Sequence, residues 1–217
     1  MKQRGAHRPS GSVCYNNGME PDNIIHLQPK KNARTDALRN RRRLLQTAQR
    51  LFAEQGIAEV TMSAIAKEAR VGKGTLYRHF GDKAELCHAL LDTDMRAFQQ
   101  RTLEILQKNA DAAEILRWFL EESVIYTIEH SEMLREVANQ IGVDLLHHPA
   151  HFWWRQTINS LLIQLEPDGD HEYMTDVLYI MLDVQTIRFQ RHEQGYTRER
   201  IIAGLNMTLD RFIKHQT

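Results

Sequence analysis

The chain has 217 residues, of which 42% are hydrophobic, so it can bury a core and the body of the chain is not expected to be disordered. Its two cysteines, Cys14 and Cys87, are too few for a disulfide framework, and no apolar run reaches the roughly 18 residues of a transmembrane helix. Because the N-terminus also lacks the apolar centre of a signal peptide, we expect a cytoplasmic protein with reduced thiols.

Charge is distributed unevenly along the chain, although the formal net charge is zero. Residues 1–92 carry 16 Lys/Arg and 9 Asp/Glu, whereas residues 93–217 carry 12 and 19. A basic first part followed by an acidic second part is typical of a nucleic-acid-binding unit joined to a unit with a different role.

Residues 1–35 are rich in Gly, Pro, Asn and basic side chains and have no apolar periodicity. This composition predicts a disordered N-terminal arm, whose basic residues either contact DNA or belong to a solvated tail. From Asp36 onwards, apolar residues recur at helical spacing as far as Phe52. They predict a first helix that ends at Gly56.

Residues 61–86 have the pattern of a helix-turn-helix with a further helix following it. Ile65, Ala66 and Ala69 predict one short helix, residues 70–74 break the pattern, and a second short helix follows from Thr75 to Phe80. A tight turn between two short helices places the second helix in the major groove of DNA. We therefore assign residues 36–91 to a helix-turn-helix DNA-binding domain.

The remainder of the chain is also predicted to be helical. Residues 82–85 have the form of a capping box and open a long helix that reaches Leu106. Further helices are expected after Asp111, over residues 132–146, from Pro149, and over residues 171–193 and 198–215. No strand alternation is present, so the predicted fold class is all-α. It comprises a three-helix DNA-binding domain and a larger helical ligand-binding and dimerisation domain over residues 92–217, about nine helices in all.

Roughly residues 40–86 resemble the corresponding part of the TetR family of bacterial transcriptional regulators. The pattern comprises Ala48, Leu51, Phe52, Gly56, Thr61, Ile65, Ala66, Ala69, Val71, the run Gly74–Thr75–Leu76–Tyr77–Arg78–His79–Phe80, Lys83 and Leu86. The resemblance implies a homodimer that binds a pseudo-palindromic DNA operator. It also implies that a small molecule in the C-terminal domain releases the operator, which predicts a ligand-responsive repressor.

The resemblance also implies which side chains contact DNA. Thr61 and Lys83 match positions that bind phosphate, and Lys73, Thr75, Tyr77 and His79 match contacts of the recognition helix. Arg78 is predicted from its own chemistry, because a guanidinium can bind guanine through two hydrogen bonds, with a phosphate contact as the equal alternative.

Two positions depart from the family pattern. Arg70 stands in the turn where the family usually has Gly, and Gly72 stands where it often has Ser or Thr. A non-glycine residue with positive φ costs about 1 kcal/mol, and Gly72 lacks a hydroxyl that could bind phosphate. The turn is therefore expected either to differ slightly from the family geometry or to tolerate the strain, and the operator preference does not follow from the family pattern.

Bulky apolar residues in the acidic half predict a cavity for an apolar or aromatic ligand, although residues at such spacing also form ordinary cores. The predicted lining residues are Trp118, Phe119, Tyr126, Met133, Phe152, Trp153 and Met181. The last two predicted helices carry broader apolar faces than burial within one subunit requires. We expect them to form the homodimer interface, with burial inside one subunit as the alternative.

Other kinds of site are not supported by the sequence. His147, His148 and His151 invite a metal site, but Pro149 interrupts them and no further ligand has a suitable spacing. No nucleophile–base pair or Gly-rich phosphate loop is present, so we expect no cofactor, metal or catalysis. The alternatives to a repressor are an activator or a ligand-independent regulator, then a non-specific architectural protein, and last a helical enzyme with a DNA-binding head.

Overall fold

The computed structural model describes residues 31–108, 111–141, 149–165 and 168–214. This part of the chain is all-α, as predicted, and contains ten helices and no strand. The helices are α1 (Lys31–Gln55), α2 (Met62–Glu68), α3 (Lys73–His79), α4 (Lys83–Leu106), α5 (Ala112–Glu129), α6 (Ser131–Ile141), α7 (Pro149–Leu165), α8 (His171–Ile180), α9 (Val184–His192) and α10 (Arg198–Lys214). None of the described helices is long and apolar enough to cross a membrane.

The first three helices form a head around a small apolar core. Leu44 of α1, Ile65 of α2 and Leu76 of α3 are fully buried, as is Phe80, which follows α3. The hydroxyl of Thr61 caps α2 by accepting a hydrogen bond from the backbone N–H of Ala64 at 3.1 Å. Helices of seven residues are too short to be stable alone, so α2 and α3 depend on this core.

The turn between α2 and α3 is a Schellman motif with an arginine in the left-handed position. The N–H of Val71 donates to Ala66 O at 3.0 Å, and the N–H of Arg70 donates to Lys67 O at 3.1 Å. Arg70 has a φ of 53°, a conformation that usually requires glycine. The strain expected at this position from the sequence is therefore present in the structure.

The next helix, α3, begins without a side-chain cap. Gly72 holds the N-cap position in an extended conformation, and its carbonyl oxygen accepts hydrogen bonds from the backbone N–H groups of Thr75 and Leu76. Both residues that depart from the family pattern, Arg70 and Gly72, lie in this turn. The backbone nevertheless keeps the geometry of a helix-turn-helix.

Replacement of Arg70 by glycine should stabilise the protein. Arg70→Gly removes the contact between Cβ and carbonyl that disfavours positive φ, and the greater flexibility of the unfolded chain offsets part of this gain. We expect the free energy of unfolding to rise by about 0.5–1 kcal/mol in urea denaturation. Arg70→Ala retains the Cβ and serves as the control, for which no gain is expected. Equal stability of the glycine variant and the wild type would contradict this account.

Helix α4 joins the head to the rest of the molecule. Asp82 caps it by accepting the N–H of Glu85 at 2.8 Å, while the Glu85 carboxylate accepts the N–H of Gly81 at 2.6 Å. The predicted capping box is therefore present, with Gly81 in place of Asp82 as the second donor. Burial raises the pKa of the Cys87 thiol to about 12, so this cysteine is protonated at neutral pH.

Most of the remaining helices pack on α5, whereas α8 packs on α7. Leu116, Phe119, Leu120 and Val124 of α5 are fully buried, and α7, α9 and α10 lie against this helix. The apolar core runs without interruption from the head along α4 to α10. The predicted boundary between residues 91 and 92 falls inside α4, so the two predicted domains share one helix.

Two predicted helix bounds are corrected by the structure, and a third prediction lies partly outside the described residues. Helix α1 already begins at Lys31, so residues 31–35 are helical and not part of a disordered arm. The helix predicted over residues 171–193 is two helices, because Asp183 starts a new one by accepting the N–H of Thr186 at 2.9 Å. The helix predicted over residues 132–146 is α6, and residues 142–146 lie outside the described part of the chain.

Candidate nucleic-acid interface and ligand cavity

Helix α3 presents a polar face on the side opposite its buried residues. Tyr77 has half of its surface exposed, Lys73 and Arg78 are also exposed, and Thr75 is half-buried. A guanidinium nitrogen of Arg78 donates to the Thr75 hydroxyl at 3.2 Å. The structure thus brings the predicted recognition-helix residues together on one accessible surface that is basic and aromatic, as contacts to phosphates and base edges require.

His79 lies at the end of α3 in a positively charged environment. Partial burial lowers the pKa of its imidazole, and the charges of Arg41 and Arg78 lower it further. Arg41 comes from α1, and its guanidinium lies 4.5 Å from the centre of the Phe80 ring. The positive surface around the recognition helix therefore includes α1.

Lys83 occupies a different environment from the one its predicted role implies. Its ammonium donates to the carbonyl oxygen of Ile57 at 2.9 Å and lies 3.8 Å from a carboxylate oxygen of Glu136 in α6. Only 21% of its side chain is exposed. Lys83 joins the α1–α2 loop to α6, and its phosphate contact remains a prediction that competes with this structural role.

The two roles of Lys83 can be separated by experiment. Lys83→Met leaves the Ile57 carbonyl without this charged donor, so we expect the free energy of unfolding to fall by about 1–2 kcal/mol. The matched control is Lys73→Met, because Lys73 is exposed and its loss should leave stability nearly unchanged. Unchanged stability of Lys83→Met, together with a weaker salt dependence of DNA binding, would favour the phosphate contact instead.

A cavity of about 370 Å³ lies between the helices of the second part of the chain. It is lined by residues from α4 to α9 and from the loop between α8 and α9. These are His88, Leu91, Asp92, Met95, Arg96, Gln99, Tyr126, Thr127, Leu134, Val137, His151, Trp154, Tyr179, Leu182, Asp183 and Val184. Its volume is within the usual range for small-molecule sites, and its lining combines aromatic and aliphatic side chains with a few polar groups.

Of the predicted lining residues, only Tyr126 faces this cavity. The other six have different places: Phe119 is fully buried, Phe152 is 64% exposed, and Trp118, Met133, Trp153 and Met181 are partly buried against the core. The structure does not bring these six residues to this cavity, because helical spacing alone does not separate a core face from a cavity face. The residues of α4 that do line it were missed, although Asp92 beside the apolar Leu91 and Met95 was a signal for them.

Aromatic packing explains why the largest predicted rings are not available to a ligand. The ring of Phe98 in α4 stacks on Phe119 at 5.3 Å and meets Trp153 edge to face at 5.4 Å. The ring of Trp118 in α5 also lies against Phe98, with 6.1 Å between the ring centres. These rings join α4, α5 and α7 on one side of Phe98. Trp154 and Tyr126 also contact Phe98, and these two residues reach the cavity.

The polar groups of the cavity are mostly engaged with the protein. The Tyr126 hydroxyl donates to Leu91 O at 3.2 Å, and burial, with the charges of Asp94 and Asp92, raises its pKa above the ordinary value. Asp92 accepts a hydrogen bond from Arg96 at 2.7 Å, and Asp183 caps α9. Tyr126 is therefore a neutral hydroxyl group at physiological pH.

Helix α6 contacts both the cavity and the head. Leu134 and Val137 line the cavity, while Glu136 lies beside Lys83 and the side-chain amide of Gln140 donates to the Asp82 carboxylate. Asp82 and Lys83 form the start of α4, directly after the recognition helix. Helix α6 therefore touches both the cavity and the junction between α3 and α4.

The histidines considered for a metal do not form a cluster in the described part of the chain. His147 and His148 lie outside the described residues, and the ring of His151 packs edge to face on Tyr179 at 5.7 Å. Among the described residues, no group of three or more His, Cys, Asp or Glu side chains could hold a metal ion.

Comparison with known proteins finds a family model that matches the helix-turn-helix and relatives that are similar over a longer stretch. The family model described as "Bacterial regulatory proteins, tetR family" matches residues 44–90, which span the end of α1 to the start of α4. Two curated helix-turn-helix transcriptional regulators from Staphylococcus aureus strains are similar over a longer stretch. One is 29% identical over 168 residues, covering 76% of this chain and 90% of its own, and the other is 28% identical over 159 residues, covering 72% and 85%.

Solved structures share the fold over most of the chain. A TetR-family transcriptional regulator from Pectobacterium atrosepticum has a TM-score of 0.64 at 23% identity, covering 81% of this chain and 95% of its own. The Thermus thermophilus repressor FadR, solved with lauroyl-CoA, has a TM-score of 0.59 at 19% identity and covers 78% and 92%. A regulator from Saccharomonospora viridis, solved with choline, has a TM-score of 0.55 at 23% identity and covers 81% and 96%.

Proposed function

Since this chain belongs to the TetR family of bacterial regulatory proteins and is a DNA-binding transcriptional regulator, we propose that it is a repressor that binds a pseudo-palindromic operator as a homodimer and is released by a small apolar or aromatic effector. The observation that carries this proposal is the position of α6, which lies between the cavity and the start of α4. Such a helix gives effector and DNA a common element on which to act.

The DNA-binding part of the proposal rests on the exposed face of α3. Lys73, Tyr77 and Arg78 are accessible there, and a buried core behind them fixes the orientation of the helix. Thr61 is exposed at the start of α2, and its hydroxyl hydrogen can be donated to a phosphate while its oxygen caps the helix. We assign sequence reading to Arg78 and orientation on the DNA backbone to Thr61, Lys73, Thr75, Tyr77 and His79.

Large exposed side chains on the last three helices support the homodimer. Ile180 ends α8, Phe189 lies on α9 and Met207 lies on α10, and each has more than half of its surface exposed. Isolated apolar residues of this size are common on surfaces, but here they follow one another along the predicted dimer helices. In a two-fold dimer the same surface of both subunits would cover them.

Selection of bound fragments from genomic DNA tests the regulator directly. A palindromic site should emerge whose affinity exceeds that of random DNA by about a thousandfold or more, and the complex should contain two chains per site. Tyr77→Ala should weaken operator binding at least about tenfold, which corresponds to about 1.4 kcal/mol. Phe152→Ala is the control, because Phe152 is an exposed aromatic residue on α7, outside both the helix-turn-helix and the helices α8 to α10 assigned to the dimer. A best site less than about tenfold better than random DNA would overturn the proposal.

Release by an effector follows from thermodynamic linkage. We take the state with α6 displaced to be one that binds the operator less well. A ligand that binds the cavity better in this state must lower the affinity for DNA. By reciprocity, DNA lowers the affinity for the ligand by the same factor. The cavity can hold only part of a long ligand inside, since its volume is about 370 Å³, so a compact aromatic or acyl group is the best match. FadR from Thermus thermophilus, with lauroyl-CoA bound, is an example of an acyl ligand in this fold.

The effector site can be tested by reducing the cavity. Met95 lines the cavity from α4 and is only half-buried, so Met95→Trp should fill part of the space without disrupting the core. We expect operator affinity to change less than twofold, while release by active members of a panel of aromatic and acyl compounds should require about tenfold more compound. Met133→Trp is the control, since Met133 is also half-buried but does not line the cavity. Equal effects of both variants would place the effector elsewhere.

A further inference from the structure

We propose that the DNA-binding surface extends beyond the helix-turn-helix onto one face of α1, where Arg34 and Arg41 bind the phosphate backbone of the operator. This inference rests on the proposed function, since it adds contacts to the same complex. Both residues lie outside the segment 44–90 that matches the family model. We therefore infer their role from the geometry of this chain and not from the match to the family model.

Arg41 is held beside the end of the recognition helix. Its guanidinium lies 4.5 Å from the centre of the Phe80 ring, and Phe80 follows His79 directly. A guanidinium that stacks on a ring by its flat face keeps the N–H groups along its edges free for other acceptors. Stacking also limits the rotation of the side chain, so less conformational freedom is lost when a phosphate binds.

Arg34 extends the same face of α1 away from the core. It precedes Arg41 by nearly two helical turns, so the two residues are about 20° apart around the helix axis and about 10 Å apart along it. Its side chain is exposed, and the first turn of α1 contains no acidic residue. Successive phosphates of one DNA strand differ by only about 3.4 Å in position along the DNA axis, so two arginines about 10 Å apart can reach different phosphates.

The described residues do not balance the positive charge on this face. The ion pairs formed by the described residues include neither Arg34 nor Arg41, and the nearest acidic residue on α1, Asp36, lies 3.9 Å from Arg39 on another side of the helix. At the end of α3, Arg41, Arg78 and His79 are close enough for their charges to interact. A phosphate bound beside Arg41 and Arg78 relieves the repulsion between their two guanidinium charges, and DNA supplies phosphates at the adjacent α3 surface.

Arg43 provides a matched control on the same helix. It is exposed like Arg34 and carries the same charge, but it lies roughly 160° around the helix axis from Arg41. A general effect of net charge would appear equally in Arg34→Gln and Arg43→Gln. A contact with the DNA backbone would appear only in the first.

The experiment measures operator affinity of the full chain as a function of salt concentration. Each phosphate contact contributes about 0.9 to the slope of log affinity against log salt, and a dimer has two copies of each arginine. Arg34→Gln should therefore reduce the slope by about 1.8, so that the affinity lost between 50 and 200 mM salt becomes about tenfold smaller than for the wild type. Arg34→Gln with Arg41→Gln should reduce the slope by about 3.6, and Arg43→Gln should leave it unchanged.

Four outcomes are informative. Slopes that match the wild type in both Arg34→Gln and the double variant overturn the inference, as does an equal reduction in Arg43→Gln. Weakening on the operator but not on random DNA also overturns it, because a phosphate contact acts on every sequence. Arg34→Gln leaves the Phe80 contact intact, so it keeps the test valid if the double variant unfolds. Failure of the wild type to prefer any site would instead refute the proposed function.

Discussion

The burial of two side chains behind a seven-residue helix is the constraint on which the rest of this structure depends. Helix α3 is too short to form in water by itself, and it forms because Leu76 and Phe80 are fully buried against α1 and α2. The same burial forces Tyr77 and Arg78 outward. Stability and recognition therefore come from one amphipathic pattern, since the residues that fix the helix also determine which side chains remain accessible.

The start of α4 connects this head to the rest of the molecule. Asp82 ends the loop after α3 and caps α4, and both Asp82 and Lys83 contact α6 through Gln140 and Glu136. These contacts are polar and partly exposed, so each contributes less than a buried apolar contact would. A junction of this kind can rearrange at a modest cost in free energy, whereas the aromatic packing around Phe98 keeps α4, α5 and α7 together.

Local features were predicted well from the sequence because they depend on neighbouring residues. The cap at Asp82, the start of α7 at Pro149 and the end of α4 at Leu106 are all found where the sequence placed them. Arg70 was expected to be strained, and its positive φ follows from the short turn that it must close. The split between α8 and α9 was missed, since apolar spacing continues through it and Asp183 was not recognised as a cap.

By itself, the sequence determined the fold class, the helix-turn-helix and which side chains of α3 face outward, because helical periodicity and turn chemistry are local properties of the chain. Only the tertiary structure decided which bulky side chains line the cavity, since Phe119 and Tyr126 follow the same helical pattern and differ only in what packs against them. It also decided that Lys83 reaches Ile57 and that Arg41 lies on Phe80. Contacts between residues far apart in the chain depend on how helices pack, and spacing along one helix carries no information about them.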